Sequence, residues 1–162
     1  MGPIEGDVIQ VAYVVRDMEK ALKRYWEVFE VGPWEVYTFA APLMRDSVVR
    51  GKPSNHSYLL AVTRHLEVQQ ELVQPLSGES IYTEHLKKKG EGLHHVKLFY
   101  PDLAAALARF GALGYPEIQS GKVDDNEFHY LDTEADFGYV IEISNRGKIW
   151  APSRRYPDQK SL

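Results

Sequence analysis

The chain has 162 residues, 44% of them hydrophobic and 12% aromatic, enough to bury a sizeable core in one domain or in two small halves sharing an interface. A formal net charge of −4 supplies no basic field for nucleic acid or anionic lipid, and the lack of cysteine excludes disulfides, thiolate metal ligands and a cysteine nucleophile. No apolar run approaches the roughly 20 residues of a membrane span and Met1–Gly6 lacks a signal-peptide pattern, so no membrane partner is expected and a cytoplasmic setting is the default.

Val8–Val15 is a β-branched and aromatic run that predicts a strand. Asp17 follows as an N-cap, after which Met18, Ala21, Leu22, Tyr25, Trp26 and Phe29 recur at helical spacing. Gly32-Pro33 ends that helix and Trp34–Phe39 predicts a second strand. Ala40–Asn55, with Pro42, Gly51 and Pro53, reads as a long loop. Strands are expected at Ser57–Val62 and Val68–Val73, then a helix over Ser80–Lys89 closed by Gly90, with Lys87, Lys88 and Lys89 where cations suit the dipole. Leu93–Phe99 predicts another strand. Asp102 caps a helix whose apolar stripe is Leu103, Ala106, Leu107 and Phe110, ending before Gly114. Glu117–Val123, Glu127–Leu131 and Phe137–Ile143 complete the strands, the first two joined by a turn at Asp124-Asp125-Asn126. Asn145–Leu162, with two prolines and several charges, reads as a tail along the surface.

The second half repeats the order of the first. A shift of 85 positions lays Gln10 on His95, Val11 on Val96 and Asp17 on Asp102. It also lays Met18 on Leu103, Ala21 on Ala106, Leu22 on Leu107 and Tyr25 on Phe110, so cap and core face coincide. An order kept through cap and stripe marks a duplication. The expected fold is α+β: two tandem βαβββ modules forming a curved mixed sheet with helices on its outer face. Module one covers about residues 7–76, a linker helix about 79–90, module two about 92–145 and a tail 146–162.

Side chains alternate across a strand. Val11, Tyr13 and Val15 therefore oppose Gln10, Ala12 and Val14; Val96 and Leu98 oppose His95, Lys97 and Phe99; Leu72 opposes Glu71 and Val73; and Ile141 and Ile143 oppose Val140 and Glu142. Gln10, Glu71, His95 and Glu142 thus share the face away from the helices. Singly, each reads as a solvated residue on an open antiparallel face. Jointly, as two pairs in register with a duplication, they read as a site: two carboxylates, an imidazole and an amide oxygen suit a divalent first-row ion.

Ile9–Phe29, Glu71-Leu72-Val73-Gln74-Pro75-Leu76, Gly90-Glu91-Gly92-Leu93-His94-His95-Val96 and Gly138-Tyr139-Val140-Ile141-Glu142-Ile143 together resemble the vicinal-oxygen-chelate superfamily of glyoxalases, methylmalonyl-CoA epimerases and bleomycin-resistance proteins. The resemblance spans about Val8 to Asn145. It implies a single glyoxalase-like domain with metal ligands at Gln10, Glu71, His95 and Glu142, the order found in zinc-type glyoxalase I. The metal is not distinguished among zinc, nickel, cobalt and manganese. Val14 and Pro75 stand where glyoxalase I carries glutathione-binding arginine and asparagine, which argues against glutathione. The second catalytic glutamate of the epimerases has no counterpart in Ala40–Asn55, which holds only Asp46.

The resemblance implies a metal-dependent isomerase or lyase, of the lactoylglutathione lyase or epimerase type, that removes a proton α to a carbonyl. Its substrate would be a small molecule, acyl-CoA and thiol adducts among the candidates, and a homodimer is expected. Glu142 is the expected base, with His129 or Asp46 in reserve should Glu142 stay a ligand throughout. Lys97 shares the inner face and meets either an anionic group or solvent. Trp34, Tyr37, Phe39 and Tyr130 line a pocket or, more commonly at such spacing, pack the core. Arg154-Arg155 reads as solvated tail or as a coenzyme A phosphate contact, and His56, His65 and His85 take no role. The alternative is a non-catalytic, bleomycin-resistance-like protein that sequesters a small molecule.

Overall fold

The computed structural model describes residues 5–158. Its elements in chain order are β1 (Asp7–Val14), α1 (Met18–Phe29), β2 (Trp34–Phe39), β3 (Met44–Val49), β4 (Lys52–Pro53), β5 (Ser57–Val62), β6 (Gln69–Ser77) and α2 (Ile81–Lys88). There follow β7 (Gly92–Phe99), α3 (Leu103–Ala112), β8 (Glu117–Val123), β9 (Asn126–Leu131), α4 (Glu134–Phe137), β10 (Val140–Ser144) and β11 (Arg154–Tyr156). All strands join one curled mixed sheet in the order β11-β2-β5-β6-β1-β7-β10-β9-β8-β3-β4, as expected for the α+β class.

The two long-range helical starts are built alike. Asp17 accepts from the Lys20 amide at 3.0 Å and Asp102 from the Ala105 amide at 2.9 Å, each satisfying a donor left free by the first helical turn. α1 lays Met18 and Leu22 against Val15, Trp34, Val36, Ala61 and Leu72. α3 lays Ala106, with Leu103, Leu107 and Phe110, against Val96, Leu131, Ile141 and Ile143. Each such fully buried aliphatic side chain contributes roughly 1.5–3 kcal/mol. The opposite, concave face has its own apolar cluster, including Val14, Phe39, Tyr58, Val73, Phe128, Tyr130 and Val140. α2 caps that cluster with Ile81 and Tyr82, and its start is a capping box in which Ser80 and Thr83 bond reciprocally. No helix among the described residues is long and apolar enough to cross a membrane.

Three segments depart from the sequence reading. Ala40–Asn55 is a hairpin rather than a loop: β3 pairs with β4 and, with a bulge, with β8. Its turn places Arg50 and Gly51 at φ 50 and 75, the left-handed pair of a tight hairpin. Arg-Gly is a weaker sequence signal for that turn than Asn-Gly, and the prolines masked the strands on either side. Phe137 ends the short helix α4 instead of opening a strand; Gly138 closes it at φ 81, so β10 starts at Val140. Within the expected surface tail, Arg154–Tyr156 adds β11 to the edge of β2, where Arg155 lies opposite Glu35.

Candidate metal centre

β1 and β7 run antiparallel at the middle of the sheet. Their register passes from Val8 opposite Leu98 to Gln10 opposite Lys97, and from Ala12 opposite His95 to Tyr13 opposite Leu93. Ile9 and His94 are thereby skipped, each the extra residue of a bulge directly before Gln10 or His95. Bulges re-aim side chains; these two displace Ile9 and His94, while the unbroken register between them, Gln10–Ala12 against His95–Lys97, keeps Gln10 and His95 on the concave face. Glu71 arrives from β6, parallel to β1, and Glu142 from β10, parallel to β7.

All four are buried, with exposures of 0–4%. His95 Nε2 lies 3.3 Å from Glu71 Oε1 and 3.1 Å from Glu142 Oε2, and one donor atom from each of the three falls within 4.8 Å of the others. The Gln10 Nε2 group donates to Gln69 Oε1 at 3.1 Å, which leaves Gln10 Oε1 for another partner. Among the described residues six buried side-chain atoms have no hydrogen-bond partner, and four of them are Gln10 Oε1, Glu71 Oε1, His95 Nε2 and Glu142 Oε2. A buried polar atom left unpaired is costly. Four of them in one place, three oxygens and an imidazole nitrogen, fit a divalent first-row cation.

The charges agree. Burial disfavours the His95 imidazolium, but Glu142 and Glu71 outweigh it and raise the His95 pKa to about 9. Burial likewise pushes the Glu142 carboxyl up, while Lys97 and His95 pull it down further, to about 2. Glu142 Oε1 accepts from Lys97 Nζ at 2.8 Å. Around His95 the groups are held neutral: burial, with the neighbouring His95 and His85, keeps His94 well below the usual histidine range, and burial raises the Tyr58, Tyr82 and Tyr130 phenols well above theirs. His94 and His95 meet through their Nδ1 atoms at 2.9 Å. With neutral His94 accepting, His95 keeps a proton on Nδ1, and it is the Nε2 proton, facing the carboxylates, that leaves to free a lone pair for a metal, the arrangement that orients a metal-binding imidazole.

A cavity of about 650 Å³ opens above the centre. Gln10, Glu71, Glu142 and Lys97 form its polar part; Phe39, Tyr58, Leu60, Val62, Phe128, Tyr130 and Ile149 form apolar walls; Arg64 and Arg146 bring guanidinium groups. Phe39 and Tyr130 thus line the pocket, whereas Trp34 packs under α1 and Tyr37 is tied to Glu35 and Arg64. Neither reserve base is placed for catalysis. His129 lies on the opposite face, opposite Ile143 and bonded to Glu117 and Glu127, because β9 alternation sends Phe128 and Tyr130 inward. Asp46 is exposed on β3 and paired with Lys122 at 3.4 Å. Arg154 and Arg155 are engaged by Glu19 and Glu35. The sequence reading missed His94: simple alternation sends it to the far face, and only the bulge keeps it beside His95.

Residues 9–130 match the family described as Glyoxalase/Bleomycin resistance protein/Dioxygenase superfamily. No curated protein matches the chain. Among solved structures, methylmalonyl-CoA epimerase from Mycobacterium tuberculosis is 16% identical with a TM-score of 0.58, over 89% of this chain and 90% of its own. A Streptomyces coelicolor methylmalonyl-CoA epimerase variant in complex with 2-nitronate-propionyl-CoA is 14% identical with a TM-score of 0.61, over 92% and 100%. A hypothetical protein from Bacillus halodurans C-125 is 18% identical with a TM-score of 0.56, over 91% and 99%. At such identities the likeness speaks for the fold, and with the family match it places the chain: it belongs to the glyoxalase/bleomycin resistance protein/dioxygenase superfamily.

Proposed function

We propose that this chain is a metal-dependent isomerase or lyase that removes a proton α to a carbonyl of a small substrate bound in the concave cavity. The observation that carries the reading is the convergence of Gln10 Oε1, Glu71 Oε1, His95 Nε2 and Glu142 Oε2, all buried and unpartnered, at the polar end of a cavity of about 650 Å³. Gln10, Glu71 and His95 would hold a divalent ion there, and it would supply the charge that stabilises an enolate. Glu142 is the base: a carboxylate at the edge of the centre, tied through Oε1 to Lys97, keeps Oε2 unpartnered to take the proton. Tyr58 and Tyr130, kept as neutral phenols, offer hydrogen-bond donors along the same wall. Acyl-CoA substrates are the first class to try: solved structures of this fold include epimerases in complex with methylmalonyl-CoA and with 2-nitronate-propionyl-CoA, and Arg64 and Arg146 give the cavity cationic groups for an anionic substrate.

Metal analysis of protein purified without chelator or histidine tag tests this reading. Near-stoichiometric divalent metal, lost in His95→Ala and Glu71→Gln, together with epimerisation or lyase activity abolished by Glu142→Gln, supports it. A wild-type protein that takes up no metal on titration overturns it in favour of a binding protein on the same fold.

A further inference from the structure

Glu71 and Glu142 occupy corresponding places on β6 and β10, yet their neighbours differ by one side chain. Glu71 lies opposite Ala12 on the β1–β6 pair, and Glu142 lies opposite Lys97 on the β7–β10 pair. Ala12 is buried and offers a methyl group. Lys97, with 14% of its side chain exposed, brings its ammonium to 2.8 Å from Glu142 Oε1. The one cationic neighbour of Glu71 among the described ion pairs is His95 itself. The duplicated scaffold has therefore been made unequal at the carboxylates, by a residue that also lines the cavity.

Resting on the reading that this centre holds a divalent ion, we propose that Lys97 is a positioning residue that assigns the two glutamates different tasks. It holds Glu142 off the ion, leaving Gln10, Glu71 and His95 as the metal-holding set and Glu142 as the carboxylate that receives the substrate proton. With Oε1 tied to Lys97, Glu142 has only Oε2 to turn toward the centre, and the ammonium beside it repels a second cation. The ion is thereby biased toward Glu71, whose neighbour is only a methyl. In the chemical step the substrate C–H bond breaks, its electron pair passes into the enolate, and the proton forms an O–H bond on Glu142. No redox partner is needed.

Lys97→Met keeps the side-chain volume and removes the charge. Titration of the apoprotein with Co(II), followed by visible absorption and by competition with a chromophoric chelator, gives affinity and coordination together. The expected result, from relief of the ammonium's repulsion, is Co(II) binding about tenfold tighter in Lys97→Met, with a changed absorption spectrum as Glu142 joins the ion. Lys97→Arg should behave as wild type, Glu142→Gln in the Lys97→Met background should erase the gain, and Glu142→Gln alone should cost far less affinity than Glu71→Gln. Disturbed folding would weaken binding, so the direction of change separates positioning from a structural role. Equal or weaker binding in Lys97→Met, or loss in Glu142→Gln as large as in Glu71→Gln, overturns the inference and leaves the metal reading intact. A wild type that binds no Co(II) overturns both.

Discussion

Val11 and Val96 face one another across β1 and β7, and the residues flanking them exchange as a local twofold requires: Gln10 opposite Lys97, Ala12 opposite His95. The same relation continues outward, where Gln69 lies opposite Gln10 and Val140 opposite His95. The candidate donors consequently come as two pairs about one point, and the differences within each pair, Gln10 against His95 and Ala12 against Lys97, distinguish the chemistry of the two halves.

His94 sets the orientation of His95 through the Nδ1 contact. Replacing it in His94→Phe removes the acceptor and frees the imidazole to turn. Metal affinity should fall about 10- to 100-fold with secondary structure intact, measurable by chelator competition alongside circular dichroism. Unchanged affinity would show that packing alone orients His95.

Metal uptake should release protons. The metal-free His95 is an imidazolium at neutral pH, its pKa raised to about 9 by Glu142 and Glu71 against the opposing effect of burial. A cation can use Nε2 only after that proton leaves. Affinity should therefore climb roughly tenfold per pH unit from neutrality to about pH 9 and flatten above it. Titration calorimetry in buffers of different ionisation heat at pH 7 should register about one proton released per ion. No buffer dependence would contradict the charge assigned to His95.

On the outer face, the His129–Glu117 pair should shape stability rather than turnover. His129 is raised, burial being outweighed by Glu117 and Glu127, so its contribution is full below the ordinary histidine value and lost as pH rises through the folded one. Glu117 is lowered, burial being outweighed by His129 and Ser120, so its contribution is full above the ordinary carboxylate value and lost as pH falls through the folded one. Both are present between roughly pH 4.5 and 6.5. His129→Gln should lower the melting temperature most in that window and progressively less toward alkaline pH, with turnover retained. A pH-independent difference would mean that packing, not charge, is what His129 supplies.

Much of this architecture was legible before any coordinates. Asp17 and Asp102 announced the caps of α1 and α3, and alternation within four strands placed Gln10, Glu71, His95 and Glu142 on one face. Lys97 was placed on that face too, but its contact with Glu142 depends on the β7–β10 register, which composition does not encode. Alternation fails where a strand gains a residue, so His94 went unassigned. It also says nothing of a hairpin written in weak turn residues, and Met44–Val49 passed for loop. Such features are decided by pairing between segments far apart in the chain, where local propensity carries little weight.

The edges of the sheet have been traded. β3 and β4 leave the first half to extend the sheet beyond β8, and β11, from the end of the chain, extends it beyond β2. On the ribosome the first half therefore cannot finish before the second exists: when Ser77 emerges, Met44–Val49 has no β8 to join and Trp34–Phe39 no β11. Synthesis proceeds from one end, but the outer pairings at both rims wait on later segments, the last at Arg154–Tyr156. Until then the nascent chain carries unpaired strands of the kind that invite association with other chains.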